Sequence, residues 1–146
     1  MIVKTLNYTD FNNEPAQEVA YFNINKQESN ILFLQYGNNK NALTNYIQRI
    51  AEDNDLLGYI KFIDKIVSIA YGIKSDDGKR IDKDEKRTKL FLSSPAYDVL
   101  IDELTSTPQA LMEFILGALS SISEDQKKQA MKEVKASIAE LDSKEN

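Results

Sequence analysis

The sequence has neither histidine nor cysteine among its 146 residues, and these two absences narrow the chemistry open to it. Without histidine it cannot build a histidine-based acid–base pair or a Ser-His-Asp triad, and without either residue it cannot form a usual structural zinc site. Without cysteine it has no disulfide and no thiolate nucleophile. Carboxylates, lysines and tyrosines remain, but each would need a strongly shifted pKa to act as a catalyst. We therefore predict that the protein is not an enzyme and needs no cofactor.

The features that would place the chain in a membrane or on nucleic acid are also absent. No apolar run reaches the roughly 18–20 residues that span a bilayer, and the first residues do not resemble a secretion signal. The formal net charge of −5 argues against general affinity for a phosphate backbone. A composition of 42% hydrophobic and 28% charged residues is typical of a globular protein. We expect a soluble, intracellular protein that binds neither membranes nor nucleic acids.

Hydrophobic periodicity predicts a β-hairpin followed by helices. Residues 2–8 alternate in part between apolar and polar side chains, residues 9–15 have turn chemistry, and residues 16–24 are predicted to form a second strand. From residue 25 onward the apolar side chains recur at helical spacing. The predicted fold class is mainly α with an N-terminal β-hairpin (α+β), as a small helical domain of five to seven helices.

Capping residues predict where these helices begin. The strongest apolar pattern, at residues 56–72, has two stripes and predicts a central core helix that Gly72 ends in the C′ position. Asp82 is expected to cap a short helix that runs through Phe91. The other expected N-caps are Asn25 with Glu28 in a capping box, Asp55, Ser94 before Pro95, Thr107 before Pro108, and Ser123 with Gln126.

The last of these caps suggests a division of the chain into two parts. Residues 1–122 would hold the hairpin and the helical core, and residues 123–146 a C-terminal amphipathic helix with a polar tail. This helix carries a narrow apolar seam of four residues, which are Met131, Val134, Ile138 and Leu141. The seam has two interpretations. It packs on the protein's own core, or it docks a partner or a second copy, since anchors at such spacing fit a groove.

The stretch from Tyr71 to Lys89, "YGIKSDDGKRIDKDEKRTK", is the most charged part of the sequence. It does not fit a calcium loop, because placing Gly78 at the sixth position puts an isoleucine at the first, where a ligand is needed. It lacks the glycines of a phosphate loop and the aromatic residues of a nucleic-acid patch. The simplest interpretation is a solvated turn. Residues 74–89 carry seven bases and five acids, whereas residues 90–122 carry four acids and no base, so the two regions could attract each other within the fold or between subunits.

Several segments resemble, in the same order, a family of tail assembly chaperones from long-tailed phages and prophages of Gram-positive bacteria. The segments are "KTLNYTDFNNEPAQEVAYFNINKQE", "ALTNYIQRIAEDND", "FIDKIVSIAYGIKSDDGKRI" and "SPAYDVLIDELTSTPQALMEFILGAL". The family-like turn is formed by Tyr71, Gly72, Ser75, Asp77 and Gly78. The resemblance covers roughly residues 1–120. After Leu119 the family pattern leads us to expect a short, proline-containing end, whereas this chain continues into a further helix.

The resemblance implies a non-catalytic function. A chaperone of this family would bind the tape measure protein, keep it soluble and recruit tail tube subunits during tail morphogenesis. It would act in the cytoplasm of the bacterial host and be absent from the mature virion. Self-association through an open hairpin edge is a further hypothesis. The alternatives are a structural or scaffold component of the virion, and an adaptor or regulatory protein that works by protein–protein contacts.

Overall fold

The N-terminal hairpin is formed as its alternating sequence predicts. In the computed structural model, which describes residues 1–37, 41–120 and 122–145, strands β1 (Ile2–Thr9) and β2 (Pro15–Phe22) pair in antiparallel register. Leu6, Ala20 and Phe22 are buried on the inner face, as the two-residue period of a strand requires. In the connecting loop, the Asp10 carboxylate accepts hydrogen bonds from two backbone N–H groups and holds the turn in shape.

Seven helices and two further strands complete the described part of the chain, which is mainly α with a β-hairpin at its start. The fold class predicted from sequence is confirmed. No helix in the described ranges is long and apolar enough to cross a membrane. The remaining elements are α1 (Lys26–Tyr36), α2 (Ala42–Glu52), α3 (Leu56–Ala70), β3 (Tyr71–Lys74), β4 (Ile81–Asp82), α4 (Glu85–Leu92), α5 (Pro95–Ser106), α6 (Pro108–Ala118) and α7 (Glu124–Glu145).

The strands β3 and β4 correct the prediction that a single hairpin is followed by helices alone. The four strands form one sheet in the order β1-β2-β3-β4. Helix α3 ends at Ala70, and Tyr71 is extended with φ −62° and ψ 135°. Gly72 follows the C-cap residue Tyr71 and so stands at the predicted C′ position, but it is a strand residue that pairs with Tyr21 and has no positive φ. The predicted closing of α3 by a glycine cap is therefore wrong. The chain becomes extended here because Tyr71 pairs with Phe22 and stacks its ring on Phe91, at 4.3 Å between centroids.

The predicted helix caps are present with one exception. Asp82 does not cap a helix, because it pairs with Ile73 in the sheet. Asp84 caps α4 instead and accepts a hydrogen bond of 2.9 Å from the backbone N–H of Lys86. The confirmed caps are Asn25 with Glu28, Asp55, Ser94 with Pro95, Thr107 with Pro108, and Ser123 with Gln126.

The hydrophobic core lies between the inner face of the hairpin and helices α3, α5 and α6. The centroid of the Phe22 ring lies within 6.0 Å of the ring centroids of Tyr71, Phe91 and Phe114. The hairpin therefore meets β3, α4 and α6 around this one side chain. Helix α3 is buried on two sides, which fits the two apolar stripes in its sequence. Its position at the centre of the core is as predicted.

Candidate partner-binding site

The four residues of the predicted seam on α7 are described only in part. Met131 is half-buried and packs against the core, and α7 lies along α6. The side chains of Val134, Ile138 and Leu141 lie outside the described residues. The packing of Met131 agrees with the interpretation in which α7 rests on its own protein. The seam as a whole stays a prediction, and so does the division between residues 122 and 123.

The family-like residues 71–78 fall into two structural parts. Tyr71 and Gly72 belong to β3, whereas Ser75, Asp77 and Gly78 form the tight turn between β3 and β4. The Asp77 carboxylate accepts hydrogen bonds from the Lys79 N–H at 2.9 Å and the Ser75 hydroxyl at 2.7 Å. Both hydrogen bonds lower the pKa of Asp77, and the one from the Lys79 backbone has the larger effect. Gly78 has φ 71°, which favours glycine.

This turn is explained by its own hydrogen bonds. The side-chain oxygens of Ser75 and Asp77 are used within the loop, where they fix the hairpin. Within the described ranges, no group of three or more acidic side chains is arranged to hold a metal ion. The geometry therefore fits the solvated turn that was the simplest interpretation of this stretch.

The two tyrosines with strongly raised pKa values have structural roles. Burial raises the pKa of Tyr59 to about 12, and its hydroxyl donates to the backbone carbonyl of Leu104 at 3.3 Å. Burial, and then the hydrogen bond that Tyr97 donates to the Asp64 carboxylate, raises the pKa of Tyr97. A raised pKa keeps each phenol protonated, so each acts here as a hydrogen-bond donor that joins α3 to α5.

The best candidate for a partner-binding site is a groove that the sequence did not reveal. It has a volume of about 440 Å³ and lies between α2, α6 and α7, beside the end of α1. A pocket of this size is within the range of about 300–1,000 Å³ that is usual for small-molecule sites, so it can hold a few apolar side chains. Its apolar floor is formed mainly by Leu43, Met112, Ile115, Leu116 and Leu119.

Three half-buried side chains make the apolar lining accessible at its margins. Phe33 comes from α1, Ile122 from the segment before α7, and Ala130 from α7 itself. Ala130 presents only a methyl group to the groove at this point of α7. The sequence contained one signal for this feature: α6 is apolar around most of its circumference and thus has more apolar surface than one contact with the core requires.

The rim of the groove is polar and almost uncharged. Helix α2 and the residue before it contribute Asn41, Thr44 and Asn45, and α7 contributes Gln126 and Gln129. Among the described residues that line the groove, Glu133 is the one with a formal charge. An apolar floor with amide groups around it can hold the apolar stripe of a helix and still bond to the polar side chains beside that stripe.

Other exposed apolar side chains lie apart from the groove. Leu56 and Leu57 stand in the first turn of α3, where Leu56 lines a smaller pocket of about 250 Å³, and Ile31 and Leu34 lie on α1. Phe11 extends from the hairpin loop. Single exposed apolar residues are normal on protein surfaces, so we do not assign sites to them.

Comparison with known protein families gives one clear result. The family model described as "Phage tail assembly chaperone" matches residues 1–145. Curated proteins and solved structures give no significant match. The match includes α7 and so corrects the expectation that the chain departs from the family after Leu119. From residue 1 to residue 145, the chain belongs to the phage tail assembly chaperone family.

Proposed function

We propose that the protein binds the tape measure protein, keeps it soluble in the cytoplasm of the bacterial host and releases it during tail assembly without becoming part of the virion. Family membership supports a chaperone role in tail assembly. The single observation that carries the choice of client surface is the groove between α2, α6 and α7. The function requires binding and release only, so the protein acts without catalysis and without a cofactor.

The groove suits a client that exposes apolar helical segments. A helix that docks in a groove inserts residues spaced at i, i+3, i+4 and i+7 and leaves its polar face in water. These anchors would lie over the buried floor that Leu116 and Leu119 help to form, and they would make their contacts mainly with the half-buried Phe33 and Ile122. Covering apolar helices in this way lowers the tendency of a long client to aggregate.

Recruitment of tail tube subunits requires a second surface, because the client occupies the groove. The outer face of the hairpin is a suitable candidate. Its outward side chains include Val3, Thr5 and Val19, and none of the eight along β1 and β2 is charged. Such a face can pack against another protein with little cost of removing charge from water.

Self-association is a related proposal. In the described part of the chain, the backbone of β1 bonds to β2 on one side and makes no other strand pairing. A free strand edge can pair with another chain. The salt bridge between Lys4, on β1, and Glu103, on α5, lies beside this edge.

Co-expression with the tape measure protein tests the proposed function. The tape measure protein is produced alone, with this protein, or with an unrelated acidic protein of similar size, and the soluble fraction is measured. We expect the tape measure protein to be soluble only when it is produced with this protein, and not when it is produced alone or with the unrelated protein. A tagged copy of this protein should also retain the tape measure protein on an affinity column. Equal precipitation in all three cases, with no retained complex, would overturn the proposal.

A further inference from the structure

The charge around the groove identifies the kind of helix that it accepts. We propose that the groove selects amphipathic helices with lysine or arginine beside the apolar stripe, and that Glu133 recognises this positive charge. The inference rests on the proposed function, because it takes a client helix to be the occupant of the groove. It adds the chemical character of the segments that bind.

Glu133 is exposed on α7 at the border of the apolar floor. A helix lying in the groove would place its flanking side chains next to this carboxylate, at the distance where opposite charges attract. A flanking lysine or arginine would form an ion pair there. A flanking glutamate would meet a like charge, which disfavours binding.

Two exposed lysines, Lys132 and Lys135, stand within two residues of Glu133 on α7, but neither of them lines the groove. Lys127 is the nearest basic residue of α7 to the groove-lining Gln126, but its side chain is only 16% exposed. Its Nζ lies 3.6 Å from a carboxylate oxygen of Glu124 and 3.5 Å from the carbonyl oxygen of Gly117. Lys127 is thus directed at α6 and partly neutralised.

The remaining rim residues do not select by charge. The side chains of Thr44, Asn45 and Gln129 both donate and accept hydrogen bonds, so they tolerate many polar partners. Gln126 keeps its amide N–H groups as donors, because its Oε1 accepts from the Ser123 N–H. This combination favours a client with many different helical segments that share an apolar stripe and a basic flank. Selection would therefore come from one carboxylate and from the width of the apolar floor.

The test uses two synthetic peptides of about 18 residues, long enough for a helix of about 27 Å. Both carry the same leucine stripe on an alanine background, one with lysine flanks and the other with glutamate flanks. Their affinities for the full-length protein are measured by fluorescence anisotropy with the wild type, E133Q, E133K and D102K. Asp102 is exposed on α5 and does not line the groove, so D102K matches the change in net charge made by E133K. Urea unfolding of each variant checks that the fold is unchanged.

We expect E133K to weaken binding of the lysine-flanked peptide about three- to tenfold relative to D102K, which is the scale of exchanging one exposed attraction for one repulsion. E133Q should give an intermediate loss, and E133K should strengthen binding of the glutamate-flanked peptide. These differences should shrink in 1 M salt. If E133K and D102K change both affinities equally, Glu133 does not recognise charge and the inference fails, while the groove remains a helix-binding site. If neither peptide binds any variant, the proposed function of the groove fails as well.

Discussion

Replacing Phe22 with alanine should destabilise the protein by about 3–5 kcal/mol, because the change leaves a cavity at the point where the sheet meets the helices. Phe22 is fully buried, and its ring lies 5.0 Å from that of Phe114 and 5.9 Å from that of Phe91. The loss is a large part of the roughly 5–15 kcal/mol that stabilise a typical domain. In urea unfolding followed by circular dichroism, we expect the midpoint to fall by about 2 M.

Phe11 provides the matched control for this substitution. It is the same residue type on the same hairpin, but it is 88% exposed in the loop. Phe11→Ala should change the free energy of unfolding by no more than about 0.5 kcal/mol. Similar losses for the two variants would mean that the aromatic cluster around Phe22 does not hold the sheet to the helices.

Gly72→Ala should destabilise the protein by about 1–3 kcal/mol, as expected when a methyl group is forced into a packed site. A Cβ at Gly72 would lie 2.2 Å from Cγ2 of Ile81 and 3.1 Å from the carbonyl oxygen of Asp82. The obstacle is a β-branched side chain, which has little rotational freedom. The free energy of unfolding from urea titration measures the effect.

A double-mutant cycle with Ile81→Ala identifies the cause. If the obstacle is the Ile81 side chain, Gly72→Ala should cost less than about 1 kcal/mol in the Ile81→Ala background, because the obstructing methyl group is gone. An unchanged cost in that background would contradict the close-packing explanation and would leave the contact with the Asp82 carbonyl as the cause.

The helices and their first residues could be predicted from the sequence because the relevant signals are local. Asn25 and Glu28 form their capping box within one turn, and Ser94 and Thr107 each stand before a proline that suits the first helical position. The long apolar pattern of α3 likewise required burial wherever it packed. These features depend on residues no more than a few positions apart.

The short strands β3 and β4 could not be predicted for the opposite reason. They contain four and two residues, too few to show a period, and their pairing joins Tyr71 to Phe22 across almost fifty positions. The Gly72 signal was therefore assigned to a helix end, since glycine after an apolar helix usually has that role. Asp82 resembles a helix cap in the local sequence because the strand that contains it has only two residues, too few to show a period.

The candidate site could not be predicted from the sequence either, because the groove is formed by α2, α6 and α7 together. The apolar sequence of α6 indicated burial, but it did not show that part of that surface lines a groove beside α7. The predicted seam lies on α7, the helix that also lines the proposed groove. The residue that carries the proposed site there, Ala130, precedes Met131 and was not in that seam.

Filling the groove is the measurement that tests the central claim most directly. Ala130→Phe places an uncharged ring over the apolar floor, and Ala136→Phe makes the same change at an exposed position of the same helix that does not line the groove. Both variants are co-expressed with the tape measure protein after urea unfolding has shown that their stabilities match. We predict that Ala130→Phe weakens binding at least about tenfold and loses the soluble complex, whereas Ala136→Phe retains it. A soluble complex of undiminished affinity with Ala130→Phe would contradict the claim that this groove binds the client.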